Sequence, residues 1–96
     1  MKIYITAILK ANPTYRDEVT AVLRQMVEES RKEVACIQYD LHQVTDDENQ
    51  FIFYEIWESR TGLDAHNQQP YILAFGKMAK EKLQETPQIY LMERIA

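Results

Sequence analysis

Four strand-like segments and two long helical segments, in a mixed order, predict an α+β fold for this chain of 96 residues. The strand-like segments are rich in β-branched and aromatic side chains, and the helical ones repeat apolar residues every three or four positions. Because a chain of this length can bury one hydrophobic core, we expect residues 1–96 to form a single domain. The strands are expected at residues 2–9, 36–44, 51–58 and 88–95.

The first strand leads into the first long helix. Asn12 is a good N-cap and Pro13 is tolerated at the first helical position, so the helix is expected to start there. Arg31 and Lys32 carry the charge that the C-terminal end of a helix favours. One apolar stripe runs between these ends and consists of Tyr15, Val19, Val22, Leu23, Met26 and Val27.

The middle of the chain predicts two further strands. The polar residues 45–50 that join them are expected to form a loop too long for a tight hairpin. In residues 51–58 both sets of alternating side chains are mostly apolar, which is typical of a central strand covered on both faces. One face would carry Phe51, Phe53, Glu55 and Trp57, and the other Ile52, Tyr54, Ile56 and Glu58.

The last third of the chain predicts a short helix, a longer helix and a strand. Ser59 can cap the short helix, which is expected to run to about Asn67. Pro70 can start the longer helix, and Pro87 would stop it. The resulting order, βαββαβ, predicts a ferredoxin-like fold: a four-stranded antiparallel sheet with its helices on one face. Right-handed crossovers place both long helices on the same side of the sheet.

The uncovered sheet face predicts a partner. Every expected strand has apolar side chains on both faces, so a large apolar surface would remain exposed in a monomer. We therefore expect a homodimer in which two sheets pack face to face around a twofold axis. A monomer whose tyrosine hydroxyls are solvated is the alternative.

Composition excludes several classes of protein. Two glycines cannot supply a glycine-rich phosphate loop or a dinucleotide fingerprint, and one cysteine cannot form an intramolecular disulfide. The net charge of −4 argues against nucleic-acid binding. No apolar run is long enough to span a membrane, and the N-terminal residues do not resemble a signal peptide. We expect a cytoplasmic protein with neither nucleic acid nor membrane as a partner.

Two titratable residues are candidates for catalysis. Glu55 lies within the most apolar strand, so its carboxyl group is expected to be either a proton acceptor with a raised pKa or the partner of a base such as Arg94. His66 could act as a general acid or base, or be an exposed residue at a helix end. His42 is expected to lie in water at the sheet edge and Cys36 to be a small buried hydrophobic residue, and isolated histidines give no indication of a metal site.

The segments around these residues carry a family resemblance. Cys36-Ile37-Gln38-Tyr39, Tyr54-Glu55-Ile56-Trp57-Glu58-Ser59, Leu63-Asp64-Ala65-His66 and Gln69-Pro70-Tyr71 resemble the antibiotic biosynthesis monooxygenase family. The likeness extends over essentially the whole chain. Two positions depart from the family pattern: Tyr71 stands where many members have histidine, and Ala35 stands where glycine is frequent.

This resemblance implies the same fold and dimer, together with an activity. It implies a monooxygenase that oxidises a small aromatic or quinol-type substrate with O2 and uses no cofactor. His66 would be the catalytic acid or base, and Glu55 would orient it or assist proton transfer. The residues implied to bind the substrate are Tyr54, Trp57, Tyr71 and Phe75.

Other functions compete with this one. The resemblance extends to isomerases of small phosphorylated compounds, for which Lys77, Lys80 or Arg94 could bind the phosphate. Haem degradation is disfavoured, because Thr6 and Ala7 stand on the first strand where related haem-degrading proteins have asparagine. A dimeric ligand-binding module without catalysis is the remaining alternative, since every candidate residue could serve packing alone.

Overall fold

The computed structural model describes all residues 1–96 and confirms the α+β, ferredoxin-like fold. The four strands form one antiparallel sheet in the order β2-β3-β1-β4. The elements, in chain order, are β1 (Ile3–Lys10), α1 (Arg16–Arg31), β2 (Cys36–Val44), β3 (Asp47–Trp57), α2 (Arg60–Asn67), α3 (Pro70–Lys82) and β4 (Gln88–Met92). A 3₁₀ turn at Pro13–Tyr15, capped by the side chain of Asn12, precedes α1.

One face of the sheet carries the hydrophobic core. The register places Ile5 of β1 and Tyr39 of β2 directly opposite Glu55 of β3, so these three side chains share that face. The helices cover it with the apolar stripes that the sequence predicts. The largest fully buried side chains are Trp57, Tyr39, Phe51, Phe53, Leu9, Leu23 and Val19. None of the helices combines the length and the apolar character needed to cross a membrane.

The opposite face of the sheet, called here the outer face, has no helix against it. On β2 it is polar, with Gln38, Asp40 and His42. On the other three strands it is mostly apolar and partly exposed. The outer-face side chains of those strands include Tyr4, Thr6, Ile8, Ile52, Tyr54, Ile56, Tyr90 and Met92.

Three boundaries differ from the sequence-based prediction. The prediction of a long loop at residues 45–50 is wrong, because β2 and β3 are joined by Thr45 and Asp46 alone. The polar residues after that turn pair through backbone groups, so they needed no apolar side chains to form a strand. α3 ends before Pro87 because Leu83 pairs with Ala11, and β4 ends at Met92.

Helix α2 approaches the segment before β2 closely enough to require glycine at one position. A Cβ atom on Gly62 would overlap the Cβ of Ala35. Ser59 caps the same helix by accepting a hydrogen bond from the Gly62 amide at 3.1 Å. The small residue at position 62 therefore sets how closely α2 lies against the rest of the chain.

We expect the substitution Gly62→Ala to destabilise the fold. Overpacking of a tight contact costs about 1–3 kcal/mol, more than alanine gains as a helix former. Removing the opposing methyl group in the double variant Gly62→Ala/Ala35→Gly should restore most of the loss. Urea unfolding of the wild type, both single variants and the double variant measures this coupling. If the changes in unfolding free energy of the two single variants add up to that of the double variant, the two positions do not touch.

Candidate active site

A cavity of about 190 Å³ lies between the sheet and the helices. Its walls are largely apolar, and the carboxyl group of Glu55 and the imidazole of His66 border it. Arg60 lies at its edge and is paired with Asp64 at 3.0 Å, an exposed ion pair. The apolar lining includes Ile5, Leu9, Met26, Phe53, Leu63 and Phe75.

His66 is held in place by Glu33. Its Nδ1 lies 2.7 Å from Oε2 of Glu33, and both side chains are largely buried. Leu63, one helical turn before His66 and on the same face of α2, is buried in the core and anchors the helix. Trp57 packs against the imidazole with ring centroids 4.3 Å apart. The ring of His66 thus has little freedom to turn.

The hydrogen bond to Glu33 assigns the tautomer of His66. A carboxylate can only accept hydrogen bonds, so Nδ1 carries the proton and Nε2 is left with a free lone pair. Asn49 Oδ1 is the one fully buried side-chain polar atom that lacks a hydrogen-bond partner. Nε2 of His66 also lacks a partner, so it is not fully buried, and His66 lines the cavity. A carboxylate that fixes a histidine through Nδ1 is the arrangement that supports general-base catalysis.

Tyr71 and Ser30 complete the surroundings of Glu33. The hydroxyl of Tyr71 donates to Oε2 of Glu33, in a short contact. Ser30, fully buried at the end of α1, lies with its Oγ 3.0 Å from the Tyr71 hydroxyl. Because the single proton of Tyr71 goes to Glu33, the hydroxyl of Ser30 is the donor in this second bond. The carboxylate of Glu33 is therefore positioned by α1 and α3 together.

Glu55 faces the cavity from the sheet. Its Oε1 accepts a hydrogen bond of 2.9 Å from Nε1 of Trp57, and it makes no ion pair. Burial raises its pKa from the usual 4.5 to about 7, and the bond from Trp57 opposes part of the rise. The suggested pairing with Arg94 is wrong, because Arg94 lies beyond β4 and donates to the Ala96 carbonyl.

The cavity thus separates the two titratable groups by their environments. Burial lowers the pKa of His66 below its usual value of 6.5, although the hydrogen bond and charge of Glu33 oppose the shift. At pH values between the pKa of His66 and that of Glu55, the imidazole is mainly an uncharged base and the carboxyl group mainly an uncharged acid. Opposite shifts of this kind are a mark of acid–base sites.

The structure brings some of the expected site residues together and separates others. His66, Glu55 and Phe75 line the cavity. Trp57 lies behind it, in contact with both His66 and Glu55, and Tyr71 reaches Glu33 instead of the cavity. Tyr54 lies on the outer face, because side chains alternate along β3 and its neighbour Glu55 points inward.

The sequence did not reveal the residue that orients His66. The expectation that Glu55 does so is wrong, since Glu33 occupies that place. One weak signal was present. Glu33 directly follows the C-terminal end of a predicted helix, where the helix dipole disfavours an acidic side chain, so a role elsewhere could have been suspected. His42 is exposed on β2, as expected, and burial raises the pKa of Cys36 to about 11. No three His, Cys, Asp or Glu side chains are grouped so as to hold a metal ion.

Comparison with known proteins identifies the family. Residues 2–78 match the model of a family described as antibiotic biosynthesis monooxygenase. The chain belongs to this family. It is 31% identical over 81 residues to a Bacillus subtilis protein named "Putative monooxygenase YcnE". These residues cover 84% of this chain and 85% of that protein.

Two further proteins resemble this chain, one in structure and one in sequence. The crystal structure of PA3566 from Pseudomonas aeruginosa superposes with a TM-score of 0.92 at 30% identity, covering 99% of this chain and 95% of the other. The Synechocystis sp. protein sll1783 is 31% identical over 87 residues, which cover 91% of this chain. The chain spans 59% of the length of that cyanobacterial protein.

Proposed function

We propose that this protein is a monooxygenase that oxidises a small aromatic quinol with O2 and uses no bound cofactor. The observation that carries the proposal is the pairing of an uncharged base, His66, with an uncharged acid, Glu55, on one largely apolar cavity. Membership of the family and the named relatives support monooxygenase chemistry. The apolar walls favour a flat aromatic substrate, which the ring of Phe75 can contact.

The reaction balances without an added reductant. A quinol with one free ring C–H beside a hydroxyl-bearing carbon reacts with O2 to give a hydroxyquinone and water. One oxygen atom enters the ring and the other leaves as water. The substrate supplies all four electrons, two from the quinol and two from the C–H bond.

His66 begins the reaction in this scheme. Nε2 takes a phenolic proton, and the resulting anion passes one electron to O2. The substrate radical and superoxide then combine to form a C–O bond, which gives a peroxide on the ring. Exclusion of water favours the first electron transfer, because the anion is less stabilised in an apolar cavity than in water.

Glu55 completes the reaction. It gives its proton to the distal peroxide oxygen, the O–O bond breaks, and a carbonyl forms as the ring C–H proton returns to Glu55. The departing hydroxide takes the proton held by His66 and leaves as water. Both residues are thereby restored to their uncharged forms.

The isomerase alternative receives less support from the arrangement of charges. Lys77, Lys80 and Arg94, the residues suggested for phosphate binding, do not line the cavity. Arg60 does, but its side chain is largely exposed and already paired with Asp64. A phosphate in this cavity would therefore have one positively charged side chain beside it, that of Arg60.

Oxygen uptake with a panel of reduced benzoquinones and naphthoquinones tests the proposed function. We expect protein-dependent uptake, one O2 for each hydroxyquinone formed, and one ¹⁸O atom in the product when ¹⁸O2 is supplied. Conversion to the plain quinone with hydrogen peroxide as the other product would contradict oxygen insertion. Conversion of a substrate under anaerobic conditions would favour the isomerase.

We also propose that the outer face forms a homodimer. Its apolar part spans β3, β1 and β4, and Ile8 and Ile52 lie side by side in it. Such a contiguous apolar surface is typical of an interface. Twofold packing of two outer faces would leave the helix-covered cavities of both copies on the outside of the assembly.

The substitution Ile52→Lys should convert the dimer to a monomer, because each interface would bury two unpaired charges. Sedimentation velocity at micromolar concentration measures the change. The matched control is Gln43→Lys, an exposed position on β2 that faces the helix-covered side of the sheet and would lie outside the interface. A wild-type chain that sediments as a monomer would overturn the dimer.

A further inference from the structure

A second apolar space continues from the candidate active site. A groove of about 590 Å³ lies between α3 and the edge strand β4. Four of its lining residues, Ile72, Phe75, Pro87 and Ile89, also line the cavity. The cavity and the groove therefore adjoin each other, and His66 and Glu55 line the cavity alone.

The groove exists because α3 stands away from the edge of the sheet. No residue of α3 is fully buried, although the helix has Ile72, Phe75 and Ala79 on its inner side. On β4, Ile89 and Leu91 lie opposite Ala7 and Ile5 and so face the helices. They are nevertheless 59% and 51% exposed. Apolar side chains thus border an open space on both sides.

We propose that the substrate carries an apolar extension, an alkyl or isoprenoid chain, which lies in this groove while its ring occupies the cavity. This inference rests on the proposed function and specifies the substrate class. The ring must reach Nε2 of His66 in the cavity, and Phe75 and Ile89, which border both spaces, would lie beside a substituent that points toward the groove. Burying the chain against Ile72 and Ile89 removes apolar surface from water on both molecules.

A second copy of the chain is a less suitable occupant of the groove. The apolar part of the outer face lies on the opposite side of the sheet, so a dimer formed through that face leaves the groove open. The four residues that the groove shares with the cavity favour a ligand that occupies both spaces. Polar residues, including Lys80 and Glu85, also line the groove, and both are exposed to solvent.

Gly76 offers a substitution that tests the groove without disturbing the fold. It lines the groove, and a Cβ atom added there would meet nothing within 4 Å. Leucine in place of this glycine would add a branched side chain of four carbon atoms at the groove, whereas alanine would add a single methyl group. Both residues are better helix formers than glycine. Gly76→Ala is therefore the matched control for Gly76→Leu.

The experiment measures binding in place of turnover. Oxidised naphthoquinones with no chain, a short alkyl chain and a longer one are titrated anaerobically by calorimetry into wild type, Gly76→Ala and Gly76→Leu. We expect the affinity of the wild type to rise about two- to fourfold for each methylene that enters the groove. Gly76→Ala should keep this gain, and Gly76→Leu should lose it while binding the chainless quinone as before.

Each outcome decides the proposal. Affinity that does not depend on chain length in the wild type would overturn it, and so would an unchanged gain in Gly76→Leu. Absence of binding by any quinone would overturn it as well. Chain-dependent binding without oxygen uptake from the corresponding quinols would uphold the groove and overturn the monooxygenase proposal, so the two failures are distinguishable.

Discussion

Replacing His66 with alanine should lower kcat/KM for quinol oxidation by about 10²- to 10⁴-fold, the usual contribution of a positioned general base. Nε2 borders the cavity and Nδ1 is fixed by Glu33, so His66 is the base placed to take the phenolic proton while Glu55 holds its own proton. Initial rates of oxygen uptake measure the loss. His42→Ala is the matched control, because His42 is exposed on β2 and is the only other histidine.

The substitution Glu33→Gln separates positioning from catalysis. Glu33 stabilises the protonated form of His66, so its removal should lower the pKa of His66 further. Since kcat/KM rises with pH as His66 loses its proton, the acidic limb of the profile should move to lower pH. Its plateau should also fall, because the amide fixes the Nδ1–H tautomer less strongly than a carboxylate does.

Three results would contradict these roles. A full rate in His66→Ala would exclude His66 as the base. An acidic limb that stays in place in Glu33→Gln would mean that His66 does not set that limb. A loss in His42→Ala equal to that in His66→Ala would point to a general effect of removing histidine.

Most of the fold could be predicted from the sequence because the signals were local. The apolar stripe of α1, the alternation in β3, and the caps Asn12 and Ser59 each depend on residues that are close in the chain. The exceptions were element ends. Backbone pairing extends β3 over polar residues, and the pairing of Leu83 with Ala11 ends α3 before Leu83. Neither effect produces a periodic pattern of apolar residues in the sequence.

The candidate site was predicted less completely because it depends on contacts between distant parts of the chain. His66 and Glu33 are separated by 33 positions, and nothing in either segment indicates that α2 and the end of α1 meet. Glu55 was recognisable because a carboxyl group in an apolar strand is unusual in itself. The alternation along β3 already placed Tyr54 opposite Glu55, but which of the two faces the helices cover could not be decided until β3 was placed in the sheet.

Glu55 should make stability depend on pH in an unusual direction. Its pKa is raised in the folded chain, so the folded state binds the proton more tightly than the unfolded state does. The stability it contributes is fully present below about pH 4.5 and is lost as the pH rises through about 7. At 1.36 kcal/mol per pKa unit, the loss across this window is roughly 3 kcal/mol.

The substitution Glu55→Gln should remove this loss. Glutamine stays uncharged at every pH and keeps an oxygen to accept the bond from Nε1 of Trp57. The free energy of unfolding of the variant minus that of the wild type should therefore increase from pH 4.5 to above 7, as measured by urea unfolding at each pH. Glu58→Gln, at an exposed position three residues on, should show no such increase. A difference for Glu55→Gln that stays constant across this range would mean that the carboxyl group is ionised throughout, and Glu55 could then not supply the proton that breaks the O–O bond.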